Sequence, residues 1–150
     1  MDQPFAHLLV PTDGSQRSIR ALEKAVALAR ALGARITVLH VRSSGPMPVS
    51  GMGDTLDPAT VERLLATRRS EAARILAEGE AICARAGVPA DGQILDDDLP
   101  HRAILAAASR CGCDLIVMAS HGRRGLGGLL LGSETQRVLV QAPCPVLVCR

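Results

Sequence analysis

The sequence predicts an α/β fold in which a five-stranded parallel sheet is covered by helices on both faces. Three observations carry that expectation. Short apolar runs rich in β-branched residues alternate with longer segments of helical period, the pattern of repeated strand–helix–strand units. Several of the short runs are apolar throughout, as strands buried on both faces are. The helical segments are bounded by recognisable caps and breakers.

The strands are expected at His7 to Thr12, Arg35 to Val41, Asp91 to Leu95, Leu115 to Ala119 and Val146 to Cys149. The third carries the faintest signal, and the second, fourth and fifth read as buried on both faces. A first helix follows Asp13-Gly14-Ser15, carries Ile19, Leu22, Val26, Ala29 and Leu32 on one face, and stops at Gly33. The second and longest opens on Asp57-Pro58 as cap and first-turn proline and runs through Val61, Leu64, Leu65, Ala72, Ile75, Leu76 and Ile82 to Gly87. A third opens near Asp98-Leu99-Pro100 and ends at Gly112. For the fourth, Ser133-Glu134-Thr135-Gln136 forms a capping-box pattern with Ser133 as N-cap, and Pro143 and Pro145 stop the helix. Ser43 to Leu56, rich in Gly, Pro, Ser and Met, reads as a long mobile connection rather than a domain boundary. Right-handed crossovers favour the strand order 3-2-1-4-5, a Rossmann-like open sheet. Strands one and four then lie side by side where the order reverses, and ligands sit in that crevice.

Composition narrows the function. At 150 residues and 47% hydrophobic, the chain can bury one ordinary core and reads as a single domain over residues 1–150. Phe5 is its one aromatic residue, so adenine stacking on a ring is not expected, and binding of unpaired bases lacks its usual platforms. A formal charge of +2, scattered along the chain, is too small for a duplex-binding stripe. No nucleic-acid partner is expected. Met1-Asp2-Gln3-Pro4 is not a basic leader before an apolar stretch, and no apolar run approaches bilayer length, so a cytoplasmic protein without a membrane partner is expected. Cys83, Cys111, Cys113, Cys144 and Cys149 are odd in number and lack zinc-ligand spacing; they read as reduced thiols serving as small buried hydrophobes.

Two segments converge on the crevice: Pro11-Thr12-Asp13-Gly14-Ser15 after strand one, and Ala119-Ser120-His121-Gly122-Arg123-Arg124-Gly125-Leu126-Gly127-Gly128 after strand four. The second continues through Leu129-Leu130-Leu131-Gly132-Ser133 into helix four, so a glycine-rich loop leads to a helix N-terminus whose amides can cradle phosphates.

On the stretches LLVPTDGS and MASHGRRGLGGLLLGSETQRVLVQAPCPVLVCR, at both ends of the chain, the sequence resembles the universal stress protein family. Nucleotide-binding members carry Gly-x-x-Gly, nine residues, then Gly-Ser or Gly-Thr. Here the pattern is Ala119-x-x-Gly122, nine residues, Gly132-Ser133, with one glycine replaced by alanine. The resemblance implies an adenine nucleotide, ATP, ADP or AMP, with Mg where a metal accompanies the phosphates. It implies that Asp13 contacts the ribose or a phosphate-bound metal, that Thr12 and Val41 border the base, and that Gly122, Gly132, Ser133 and Thr135 meet phosphates. Pro11, Met118, Ala119 and Glu134 complete the implied nucleotide contacts. It also implies a homodimer through the last strand, Val146-Leu147-Val148-Cys149, whose apolar edge suits pairing. The added methyl of Ala119 obstructs a ligand only if the family glycine serves close approach or positive φ; a β-region strand end accepts alanine without strain.

Other readings stand beside these. Gly125, Gly127 and Gly128 form either a phosphate cradle or simply a flexible loop. Asp13 is either a ligand contact or a helix-start residue. Arg123 and Arg124 read as a solvated face, and His121 carries no catalytic signature. His7 and His40 read as satisfied structural histidines, His101 as exposed in a first helical turn, and Asp96-Asp97-Asp98 as cap and dipole residues rather than a metal site. Lys24, inside helix one, is the single lysine, which excludes a P-loop NTPase and a response-regulator receiver. One glycine in the first turn excludes the dinucleotide fingerprint. No residues at diagnostic spacing form a hydrolytic set, so any turnover would be slow and incidental. The rival to a nucleotide-binding stress-response module is a homodimeric interaction protein of the same fold that binds no nucleotide.

Overall fold

A computed structural model describes residues 2–45, 57–122 and 130–150. In chain order the elements are β1 (His7–Pro11), α1 (Gln16–Leu32), β2 (Arg35–Arg42), α2 (Pro58–Arg85), β3 (Ala90–Asp96), α3 (Pro100–Cys111), β4 (Leu115–Ala119), α4 (Ser133–Gln141) and β5 (Val146–Cys149). The strands form one parallel sheet ordered β3-β2-β1-β4-β5, as the sequence predicts. Residues 46–56 of the expected long connection lie outside the described residues, as do Arg123, Arg124, Gly125, Gly127 and Gly128.

The alternation of side chains along each strand divides the core into two layers. Leu8, Val10, Ile36, Val38, Leu115 and Val117 pack with Leu22, Val26 and Ala29 of α1 and Cys83 of α2. Their neighbours Leu9, Leu39, Ile116 and Met118 face Ile104, Ala107 and Ala108 of α3 and Val138 of α4. Consecutive residues of one strand thus feed opposite cores, which is why these strands read as unbroken apolar runs. Each fully buried Leu, Ile or Val contributes about 1.5–3 kcal/mol. β5 departs from expectation: as an edge strand with one neighbour it is only half-buried, and Leu147 is exposed.

Local signals set most helix ends. Ser15 caps α1, its side chain accepting from the Ser18 amide, and Asp57 caps α2 through the Thr60 amide. Gly33 and Gly112 close α1 and α3 at φ 68° and 66°, a left-handed conformation that penalises any Cβ. The Ser133 cap is a correction. Gly132 is the N-cap of α4 and Ser133 the first helical residue, because the Gly132 amide donates to Ser120 O at 2.8 Å and turns the chain one residue early. Gln136 Nε2 correspondingly donates to Leu131 O rather than closing a capping box.

The acidic run is also redistributed. Asp96 pairs with Arg42, Asp97 accepts from the Leu99 amide and from Arg102, and Asp98 accepts from the Ser43 and Ser44 hydroxyls. Leu99, the N-cap of α3, has no side-chain cap. Among the described residues no group of three His, Cys, Asp or Glu could hold a metal, and all five cysteines are unpaired thiols, with Cys83 and Cys113 buried. Burial pushes the Cys113 thiol up to about 12, so it stays neutral.

His7 sits at the amino end of the sheet, buried. Thr37 Oγ1 links the two neighbours, 2.8 Å from His7 Nε2 and 3.2 Å from the Asp91 carboxylate. His7 Nδ1 is buried with no hydrogen-bond partner among the described residues. Burial first, then the Arg35 charge, lowers the His7 pKa below 6.5, against the opposing pull of Asp91, the Cys111 backbone and Asp114. Below the unfolded pKa the unfolded chain binds more protons, so stability falls as pH drops from about 6.5 toward the depressed folded value. The expected loss is at most about 1.4 kcal/mol per pH unit. Urea melts of wild type and His7→Gln across that range check it; equal slopes in the two proteins would count against it.

Candidate functional site

The crevice originates in one missing hydrogen bond donor. Thr12 N–H donates to Leu39 O at 2.8 Å, while Asp114 N–H donates to His7 O, so even-numbered residues of β1 face β2 and odd-numbered ones face β4. Pro11 therefore falls on the β4 side, where it has no N–H to offer. Pairing of β1 with β4 is confined to Leu8↔Leu115 and Leu9↔Ile116. Beyond those pairs the carboxyl ends of the two strands enclose a cavity of about 560 Å³, within the usual range for small-molecule sites.

One end is apolar. Pro11, Leu39, Val41, Ile104 and Met118 line it, with Pro100 from the start of α3. Ala119 closes β4 in register with Cys149, and no non-glycine residue among those described has positive φ, so its methyl sits on unstrained extended backbone. Thr12 is buried beside it, bonded through Oγ1 to Ser18 Oγ at 3.1 Å, while its carbonyl accepts from His40 Nδ1 at 2.8 Å, which fixes the proton on that nitrogen.

The other end is a helix start. Thr135 Oγ1 donates to Ala119 O and Ser120 O at 3.0 and 3.2 Å, holding the first turn of α4 against the end of β4. A Cβ on Gly132 would lie 3.1 Å from Ser120 O, so glycine serves close approach here. The first intrahelical bond of α4 runs from Gln136 N–H to Gly132 O, so the amides of Ser133, Glu134 and Thr135 precede it and face a region favourable to anions. Gly122 stands across the crevice; a Cβ on it would lie 3.0 Å from Asp13 Oδ2. Asp13 Oδ1 accepts from the Ser15 amide at 2.9 Å, so its carboxylate serves the α1 turn as well as the cavity wall.

Glu134 is held by its neighbours. Its Oε2 accepts from the His101 amide at 2.7 Å and from His101 Nδ1 at 2.9 Å, and Oε1 accepts from Arg137 at 2.7 Å. Burial works to raise its pKa, but the His101 hydrogen bonds and charge, with Arg137, outweigh burial and hold the carboxyl below the ordinary range. The carboxylate supplies α3 with the cap that Leu99 does not. His101 is accordingly half-buried rather than exposed, a contact between helices that no local signal announces.

All eleven residues singled out in the sequence for nucleotide contact border this one cavity. Sequence reasoning brought His121, Leu130 and Leu131 to the crevice only as part of the loop, without a contact of their own, and did not place Ser18, Leu39, Pro100 and Ile104 there. Leu39 and Ile104 carry only a generic apolar signal; their place on the cavity side depends on which face of the sheet each helix covers.

A family model described as the universal stress protein family matches residues 4–150. The chain belongs to that family. A universal stress protein of Thermus aquaticus is 39% identical over 146 residues, covering 97% of this chain and 99% of its own length. The solved universal stress protein UspA of Lactobacillus plantarum shares the fold at a TM-score of 0.81 and 24% identity, covering 97% of this chain and 98% of its own. A universal stress protein from Arabidopsis thaliana, solved with AMP bound, is similar in fold at a TM-score of 0.68 and 21% identity, over 95% and 90% of the two chains. Among the described residues, no helix of this universal stress protein is long and apolar enough to cross a membrane.

Proposed function

We propose that this chain is a cytoplasmic, single-domain regulatory module of the stress response that binds an adenine nucleotide and works as a homodimer. The observation that carries the reading is the cavity itself, apolar at one end and opening at the other onto the first-turn amides of α4. The AMP held by the Arabidopsis relative is consistent with that division. In this reading the base lies among Thr12, Val41, Leu39, Ile104 and Met118, and the ribose near Asp13. The phosphates meet the backbone of Gly122, Gly132, Ser133 and Thr135 and the Ser133 hydroxyl, which has no capping bond to make. The Thr135 hydroxyl is already donated to strand carbonyls, so its amide is the contact offered.

Mg fits only as a companion of the phosphates: the described residues contain no three-ligand cage, and one carboxylate, Asp13, borders the cavity beside the committed Glu134. Dimerisation is supported by the exposed edge β5 with Leu147, and by the exposed Leu139 and Val140 of α4. A light-scattering mass that stays monomeric over a wide concentration range would overturn it.

Nucleotide binding is tested by chromatographing what the purified protein releases on denaturation, then by titration with AMP and Mg-ATP. Release of an adenine nucleotide, or saturable binding, is expected. A blank in both leaves a homodimeric interaction protein of the same fold. Ala119→Gly is expected to tighten AMP binding by removing a methyl from the close approach between the end of β4 and the ligand. Unchanged or weaker affinity in the same titration would show that the methyl does not crowd the ligand.

A further inference from the structure

We infer that the chain carries a second anion site, for a short phosphate chain, beside the nucleotide cavity and separated from it by His121. A smaller cavity of about 220 Å³ is lined by Arg17 and Arg20 of α1, Ser120 and His121 after β4, and Arg150 after β5. It is too small for a nucleoside by the usual range of such sites. No acidic side chain is among its described lining residues.

Two features point to an anion rather than to solvated surface charge. Arg17 stands in the first turn of α1 and Arg20 just beyond it, near the positive end of the helix dipole, where cations are disfavoured. The first turn has no acidic residue to offset them, and neither guanidinium has an ion pair among the described residues. Folding therefore gathers three guanidinium-bearing residues, Arg17, Arg20 and Arg150, around one hollow. Guanidinium forks match paired phosphate oxygens, and a ligand there also meets the Ser120–His121 pair, bonded Oγ to Nδ1 at 3.2 Å.

His121, Leu130 and Leu131 border both cavities. The site can thus take a free oligophosphate or the distal phosphoryl groups of a nucleotide whose base occupies the larger cavity. It does not require the nucleotide reading to hold.

Calorimetric titration with tripolyphosphate, at low ionic strength because the arginines are exposed, tests the site directly. One equivalent is expected to bind with or without saturating AMP. Arg17→Gln/Arg20→Gln should weaken tripolyphosphate at least tenfold while leaving AMP affinity and the thermal midpoint unimpaired. Arg17→Lys/Arg20→Lys should recover only part of the affinity. Loss of tripolyphosphate binding on adding AMP would overturn the proposal, as would equal affinity in the glutamine variant. If AMP itself fails to bind, the tripolyphosphate titrations still decide this site, and only the nucleotide reading falls. Diadenosine tetraphosphate separates the two sources: an advantage over AMP that vanishes in the glutamine variant identifies distal phosphates of a nucleotide, and no advantage identifies a free phosphate chain.

Discussion

Val41→Trp is expected to lower AMP affinity about 100-fold, roughly 2.7 kcal/mol, while leaving the protein folded. Val41 is near the end of β2, half-buried, on the wall of the apolar part of the cavity. In the proposed arrangement, an indole there takes the space assigned to the base. Because the position is partly exposed, the larger ring can be accommodated at the cavity mouth without rebuilding the core. The substitution also introduces the chain's first tryptophan, so its emission reports directly on the site. Titration with AMP, together with a thermal melt, checks both parts. Full affinity in a folded variant would place the base elsewhere and remove the main support for assigning roles along the cavity.

Gly79→Leu is expected to destabilise the protein by about 3 kcal/mol, the upper part of the range for overpacking a core. Gly79 lies inside α2, where glycine by itself is unfavourable by about 1 kcal/mol relative to alanine. Its presence reflects close packing: a Cβ there would approach Val38 Cγ1 to 2.8 Å and Leu22 Cδ2 to 3.4 Å. These contacts come from β2 and α1, so a side chain at this point pushes α2 away from both. Gly79→Ala separates the opposing effects, since it gains helix propensity yet still meets Val38. Denaturant melts of the two variants should rank wild type above alanine and alanine above leucine. A leucine variant as stable as wild type would mean that α2 does not pack here as closely as its backbone position requires.

The caps of α1 and α2 were legible because their determinants are local. Ser15, Asp57 and the glycines at 33 and 112 act on residues within a turn of themselves. The strand order was legible because unbroken apolar runs require cover on both faces, and crossover handedness then leaves few arrangements. Ser133 misled for the complementary reason. The position of the α4 cap is set by an amide-to-carbonyl bond from Gly132 to Ser120, twelve residues away, and no capping-box pattern records it. His101 misled likewise, because its partner is on another helix.

By itself, then, the sequence determined the parallel sheet, its order, the reversal point between β1 and β4, and the residue types gathered there. Pro11 is the clearest instance: a missing N–H, visible in one letter, ends the β1–β4 ladder where the cavity begins. Only the tertiary structure decided which helix covers which face. That choice brings Ile104 and Leu39 into the apolar end, commits Glu134 to α3, and gathers Arg17, Arg20 and Arg150 at one hollow. The physical reason is range. Periodicity, capping and ring closure act between neighbours in the chain, whereas helix placement is fixed by burial summed over residues far apart in sequence.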